Sequence, residues 1–295
     1  MSIMTSIPDL SRNRFPVRRM DFDFAETKQY WFNNDAGLTH FMTALSALFP
    51  VGERFFVDSV RAVRKNPKIA DNFDLQAQIS AFIGQEAMHS KEHHALNMHA
   101  GEFGYKDIEW MEAFTATVLS ARKILTPFAP IEMIDLAATC ALEHFTALLA
   151  EQVLNNPKFQ SMMADDPVML KLWLWHCVEE TEHKAVAYDV YKNIYGTDKG
   201  SAYVLRVVGI LMATTLILGT QSYFTARLLK KDGKLAPKYW LKVANTFYGI
   251  NGLFIKAIPH FLDYFKPSFH PNDHDTIHLL SVWKRNLSLS EYKPS

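Results

Sequence analysis

Glu86-Ala87-Met88-His89 and Glu180-Thr181-Glu182-His183 are two copies of Glu-x-x-His, set far apart in segments that read as helices. On a helix, positions i and i+3 share a face, with Cβ atoms about 5–6 Å apart, so each pair can reach one ion. A further glutamate on an apolar segment precedes each copy: Glu53 before the first, Glu143 before the second. The order Glu, Glu-x-x-His, Glu, Glu-x-x-His is that of a two-metal carboxylate site inside a four-helix bundle. There the paired glutamates bridge two ions and the lone ones cap them. Carboxylates with imidazole suit iron or manganese, and zinc is also accepted.

Neighbouring residues extend the candidate set. His176 lies four residues before Glu180, so His176, Glu180 and His183 occupy one helix face. Glu86, His89 and His93 stand at i, i+3 and i+7, which makes His93 a further candidate. Glu179 is three residues after His176 and four before His183, so helical geometry alone does not separate it from Glu180. Choosing Glu180 rests on the parallel with Glu86. His144 follows Glu143 directly and points about 100° away round the helix. His40, His94 and His99 carry no pattern.

Blander readings stand beside these. A single Glu-x-x-His arises by chance on any charged helix face. Two copies in apolar helices are harder to explain that way. Glu143 sits in AATCALEHFTALLA; a buried carboxylate there costs several kcal/mol unless it is paired or metal-bound. A salt bridge to Arg54 or Arg61 is its structural alternative. Glu53, after Gly52 and before Arg54, also reads as a surface helix start. His89-Ser90-Lys91-Glu92-His93 fits the inverted zinc-protease signature as well, with one zinc and Glu92 activating water.

The elements that must position these residues follow from periodicity and breakers. Residues 1–36, with Pro8 and Pro16, read as an extended arm with alternating Phe15, Val17, Met20, Phe22 and Phe24. An all-α, ferritin-like four-helix bundle is expected over 37–199. Its helices run over about 39–64 with an interruption at Pro50–Gly52, from an Asp74 N-cap to about His99, from Pro130 to Leu154, and from Pro167 to Tyr195. A helix over 108–125 without ligand-type residues suits the crossover between the second and third ligand helices. Residues 200–295 read as extra C-terminal apolar helices, packing on the bundle or on a membrane surface, then a Pro/His-rich tail. Val207–Ala226 holds no charge and is just long enough to span a bilayer. A single span, a surface or hairpin anchor and a buried helix are all open readings.

Composition bounds the rest. The 295 residues carry 31 Lys plus Arg and 31 Asp plus Glu, so no nucleic-acid partner is expected. Two cysteines, Cys140 and Cys177, exclude a disulfide scaffold and favour a reducing compartment. The first twenty residues hold no apolar run of signal-peptide type. The expected location is cytoplasmic, with residues 203–264 as a candidate attachment to the inner face of the membrane.

The chain resembles a bacterial family of predicted metal-dependent hydrolases, an all-helical, ferritin-like group. The resemblance lies in FPVRRMDFDF, FPVGERFFVDSVR, FIGQEAMHSKEHHALN, ALEHFTALLAEQ, LWLWHCVEETEHKAVAYDVY and FHPND, spread over residues 15–273. It implies hydrolysis. In ligand order and spacing alone, Glu53, Glu86, His89, Glu143, His176, Glu180 and His183 also resemble the seven-ligand set of the di-iron arylamine N-oxygenases. That likeness implies two irons, O₂ activation, and His93 outside the ligand set. The leading expectation is therefore a di-iron oxidase or oxygenase acting on a small or hydrophobic, lipid-like substrate with an electron donor. The alternatives are a two-metal hydrolase of ester or phosphoester bonds and non-catalytic iron binding. A membrane surface and a second copy of the chain are further candidate partners.

Overall fold

The computed structural model describes residues 15–289. Among the described residues there is no strand, and the all-α class expected from the periodicity holds. Asp35 caps α1 (Ala36–Ser46) by accepting the Leu38 N–H. The chain breaks at Ala47–Leu48 and restarts as α2 (Phe49–Val63). Pro50 sits in the first turn of α2, where its missing N–H leaves no bond unmade. The interruption thus precedes Pro50, and Gly52 lies inside the helix. Asn72, and not Asp74, is the N-cap of α3 (Phe73–Glu102): its side chain accepts the Leu75 N–H. α4 (Asp107–Ser120) tightens into a 3₁₀ turn over Ala121–Leu125. α5 (Ile131–Leu154) and a short, unexpected α6 (Pro157–Ser161) follow.

Asp166 caps α7 (Pro167–His183) through the Met169 N–H. The single helix expected to reach Tyr195 is divided, with a break at Lys184–Ala185 and a separate α8 (Val186–Tyr195). α9 (Gly200–Lys231) is continuous over 32 residues. Two helices follow, α10 (Pro237–Val243) and α11 (Leu253–Asp263), separated by a π-turn and a corner at 249–252. A Cβ on Gly252 would lie 2.5 Å from the Phe247 carbonyl oxygen, so only glycine closes that corner. α12 (Ile277–Asn286) forms where the composition indicated only a tail.

α2 packs on α3 and α5, and α7 packs on the same two, so the four ligand-bearing helices close a ring. α4 carries the chain from α3 to α5 across the diagonal and lies against α2 and α3. α9 packs on α1, α4 and α5, α11 on α5, and α12 on α7. Leu205 and Ile210 of α9 share one apolar core with Phe56, Val60, Phe82 and Leu136. The buried Arg206 joins α9 to the end of α11, donating to the Tyr264 carbonyl and, at 2.9 Å, to that of Lys266. It thereby satisfies carbonyls at and beyond the end of α11 that no helical N–H reaches.

Among the described residues two helices are long and apolar enough to cross a membrane, α5 and α9. α5 is mostly buried and is a core helix. α9 is mostly not, burying one stripe against the bundle and leaving Val204, Leu211 and Tyr223 exposed.

Residues 15–34 form the described part of the N-terminal arm; its first fourteen residues, with Pro8, lie outside the described residues. Phe15 and Phe24 are buried, and Val17, Met20 and Phe22 are half-buried. Gln85 donates to the Pro16 carbonyl at 2.9 Å, and the Phe22 N–H donates to Glu92 at 3.1 Å. Val17 packs so closely on Gly84 that a Cβ there would come within 2.4 Å of Cγ2. The arm is held against α3.

Candidate metal centre

The ring of α2, α3, α5 and α7 turns Glu53, Glu86, His89, Glu143, His176, Glu180 and His183 toward one another, all buried. Glu180 is central. Its Oε1 lies 3.0 Å from His176 Nε2, 3.5 Å from His89 Nδ1 and 3.6 Å from His183 Nε2. Glu86 faces both sides, with Oε1 2.9 Å from His183 Nε2 and Oε2 3.9 Å from His89 Nδ1. Glu143 Oε2 is 3.4 Å from His183 Nε2, and Glu53 Oε1 is 3.9 Å from His176 Nε2. Two sets of ligand atoms, from Glu53, His89 and His176 and from Glu86, Glu180 and His183, each lie within 4.8 Å of one another.

These atoms fit two cations. Both oxygens of Glu53, Glu86 and Glu143, together with His89 Nδ1 and His183 Nε2, are buried without a hydrogen-bond partner. Buried polar atoms are rarely orphaned, and here the orphans converge. The 2.9 Å approach of Glu86 to His183 lacks hydrogen-bond alignment. Four carboxylates match the charge of two divalent ions, and neutral imidazoles add none.

The cluster's own side chains balance that charge poorly. Burial, reinforced by Glu86 and Glu180, drives the Glu53 carboxyl well above the usual range, and burial with Glu86 does the same to Glu143. Burial also opposes charge on Glu86, but His183 outweighs it and lowers that carboxyl. For Glu180, burial is outweighed by His176 and His183. His89 and His183 are raised well above the usual imidazole range. Burial resists this, but Glu179 and Glu180 overcome it at His89, and Glu143 and Glu86 at His183. Protons on these groups compete for the places of cations.

The far nitrogen of each imidazole is held. His183 Nδ1 donates to Gln85 Oε1 at 2.9 Å, a direction fixed because the Gln85 amide already donates to Pro16 and Glu182. His176 Nδ1 donates to His93 Nε2 at 2.7 Å; His93 Nδ1 donates to Ser46 Oγ at 2.9 Å, and Ser46 donates to Asn97 at 2.8 Å. Burial and the neighbouring His176 keep His93 well below the usual imidazole range, so it accepts as a neutral ring. His89 Nε2 donates to Glu179 Oε2 at 3.1 Å. Arg18 binds the other oxygen of Glu179 at 2.8 Å and grips Glu182 through two bonds of 2.7 and 2.9 Å. Thr146 donates to Glu180 Oε2. Such outer partners fix ring orientation and tautomer and leave the inner nitrogens free for metal.

Glu179 and His93 therefore stand one step outside the cluster, each bonded to a candidate ligand. His144 stacks on Tyr264 at 4.6 Å, away from it. The salt-bridge alternative for Glu143 finds no support, since Arg61 is exposed and pairs with Asp58. The zinc-protease motif is not assembled: Glu92 accepts from the Phe22 N–H and from Lys91, facing the arm. Arg18, Gln85, Glu182, Thr146, Ser46 and Asn97 escaped the sequence reading. The one signal available was the density of polar residues around Glu86 in a segment that also had to be buried.

No curated protein and no solved structure matches the chain. A family model matches residues 16–275, and its description is a predicted metal-dependent hydrolase. This corrects the expectation of an O₂-activating oxidase or oxygenase with its electron donor, which rested on ligand order and spacing only. It favours the hydrolytic alternative. With a match over nearly its whole length, the chain belongs to the predicted metal-dependent hydrolase family.

Proposed function

We propose that the protein is a two-metal hydrolase of ester or phosphoester bonds, with its centre in a ferritin-like four-helix bundle. The observation that carries this is the convergence of unpartnered buried atoms from Glu53, Glu86, His89, Glu143 and His183. Glu53, His89 and His176 would hold one ion, Glu143 and His183 the other, with Glu86 and Glu180 between them. The oxygen-rich donor set suits iron or manganese, with zinc also accommodated. A bound divalent ion polarises a carbonyl or phosphoryl oxygen and lowers the pKa of a water. The chain itself orients the three imidazoles, pins Glu180 through Thr146, and closes the α3 side with the arm.

The test is to load the purified protein with each metal, count ions, and assay p-nitrophenyl carboxylates, phosphates and phosphodiesters anaerobically. Two ions per chain are expected, with hydrolysis lost to a chelator and restored by metal. A single zinc per chain, or loaded protein inert toward every ester, would overturn the reading.

The location we propose is a cytoplasmic one on an anionic lipid surface. Exposed Leu235, Leu241, Ile250, Ile255, Ile258 and Leu262 support it. So do eight basic residues against two acidic ones over 227–266. Apolar residues with flanking lysines suit the interface between headgroups and acyl chains.

A further inference from the structure

A cavity opens directly onto the metal centre. His176, Glu180 and Thr146 form part of its wall. The rest of the lining is almost wholly apolar, with Phe41, Phe49, Phe56, Leu142, Ile217 and Phe254 among it. Along α5 the wall runs from Ile134 through Ala138, Leu142 and Thr146 to Val153, so Thr146 stands part-way along it with the longer arm toward Ile134. From Thr146 back to Ile134 is roughly 18 Å at 1.5 Å per residue. An extended hydrocarbon advances roughly 1.3 Å per carbon, from a C–C bond of about 1.52 Å, so that length holds a chain of about fourteen carbons.

The placement of charge narrows the ligand. Arg122 is the only Lys or Arg in the lining. It lies at the far end, bonded to Asp135 through Nε and Nη2 and stacked over Phe55 at 4.4 Å. Among the described residues no lining cation stands beside Glu180 and His176, so any charge on the ligand there would have to be met by the metal ions alone, which favours an uncharged ester. The cavity is polar where His176, Glu180 and Thr146 face it and apolar on either side, which suits an ester whose polar group sits between two apolar arms.

We infer that the substrate is a carboxylic ester of a long-chain fatty acid, its carbonyl beside Glu180 and His176 and its acyl chain running along α5 toward Ile134. This rests on the hydrolase reading. In the reaction the water oxygen bonds to the ester carbonyl carbon and the bond from that carbon to the alcohol oxygen breaks. The water proton leaves with the alcohol, giving a fatty acid and an alcohol with no change of oxidation state.

Two measurements on the metal-loaded protein test the inference. One is kcat/KM for p-nitrophenyl esters from acetate to palmitate. The other is binding of a fluorescent long-chain carboxylate, which needs no turnover. Each buried methylene favours the longer chain, so kcat/KM should rise at least about tenfold between butyrate and myristate. Ala138→Trp should block the cavity partway, weakening the long-chain probe at least about tenfold; Leu142→Trp, nearer the metal, should exclude shorter chains as well. Thermal melts establish that both variants fold, and the wild-type profile needs no variant. Hydrolysis of short esters with a flat chain-length profile and no probe binding would overturn the acyl assignment and leave the hydrolase standing. Phosphodiester cleavage without carboxylic ester cleavage would do the same. Tight probe binding, lost in Ala138→Trp, in a protein inert toward all esters would keep the acyl site and sink the hydrolase.

Discussion

At the residue scale, the centre is two concentric sets of side chains. The inner seven could offer oxygen and nitrogen to ions; the outer set holds the imidazoles. Glu86 and Glu180 face both sides, so Glu86→Gln or Glu180→Gln should load fewer than one ion, whereas Glu53→Gln should lose only the ion shared with His89 and His176. Metal analysis checks the stoichiometry, and hydrolysis should fall at least about a hundredfold in all three. Glu179 acts through His89, so Glu179→Gln should weaken metal binding about 10–100-fold in a chelator competition. Glu92→Gln should leave metal affinity within about twofold, because the outer-partner effect does not extend to it; the zinc-protease reading requires its activity to vanish. That Glu86 and His89, and His176, Glu180 and His183, share helix faces was legible because i, i+3 and i, i+4 spacing is local. The outer set was not: Arg18 and Glu179 are 161 residues apart, and nothing near either names the other.

At the scale of elements, the N-terminal arm is a structural part of the centre. It brings Arg18 to Glu179 and Glu182, and all three side chains are nearly inaccessible. Glu182 keeps Lys284 at 2.6 Å and Gln85 at 2.9 Å, and Glu179 keeps the His89 imidazole at 3.1 Å. Arg18→Ala should cost up to about 3–5 kcal/mol, the usual result of removing one partner from a buried pair, reduced by what these remaining partners return. Chemical denaturation of the metal-free protein measures it. Arg18→Lys should recover part of the loss, because it restores the charge without the two-pronged grip on Glu182. A change within experimental error for Arg18→Ala would mean that the arm merely covers the surface. The helices themselves were legible from apolar periodicity. Their breaks were less so: periodicity runs on through Lys184–Ala185 with no Gly or Pro to mark the stop, and Asn72 competes with Asp74 as a cap two residues away.

At the scale of the molecule, α9 shows why sequence left the membrane question open. A helix packed by one apolar stripe and presenting another reads, by composition, like a span. The structure separates the stripes: Leu205 and Ile210 are buried, while Val204 and Leu211 are about half exposed. Arg206, fully buried and bonded to carbonyls beyond α11, is the residue a lone span would not hold at that depth. Surface contact demands less of α9 than crossing does. The proposed contact would use the outward apolar residues of α9 to α11 together with the exposed Lys230, Lys238 and Lys256. Near an anionic surface each such cation contributes about 1 kcal/mol, falling off within a Debye length. The protein should therefore float with vesicles containing phosphatidylserine and not with neutral ones, and salt should release it. Lys238→Glu with Lys256→Glu, both exposed, should abolish flotation while leaving the metal content at two. Binding to neutral vesicles that resists salt would point to insertion of α9 instead, and no binding to either would remove the lipid surface from the account.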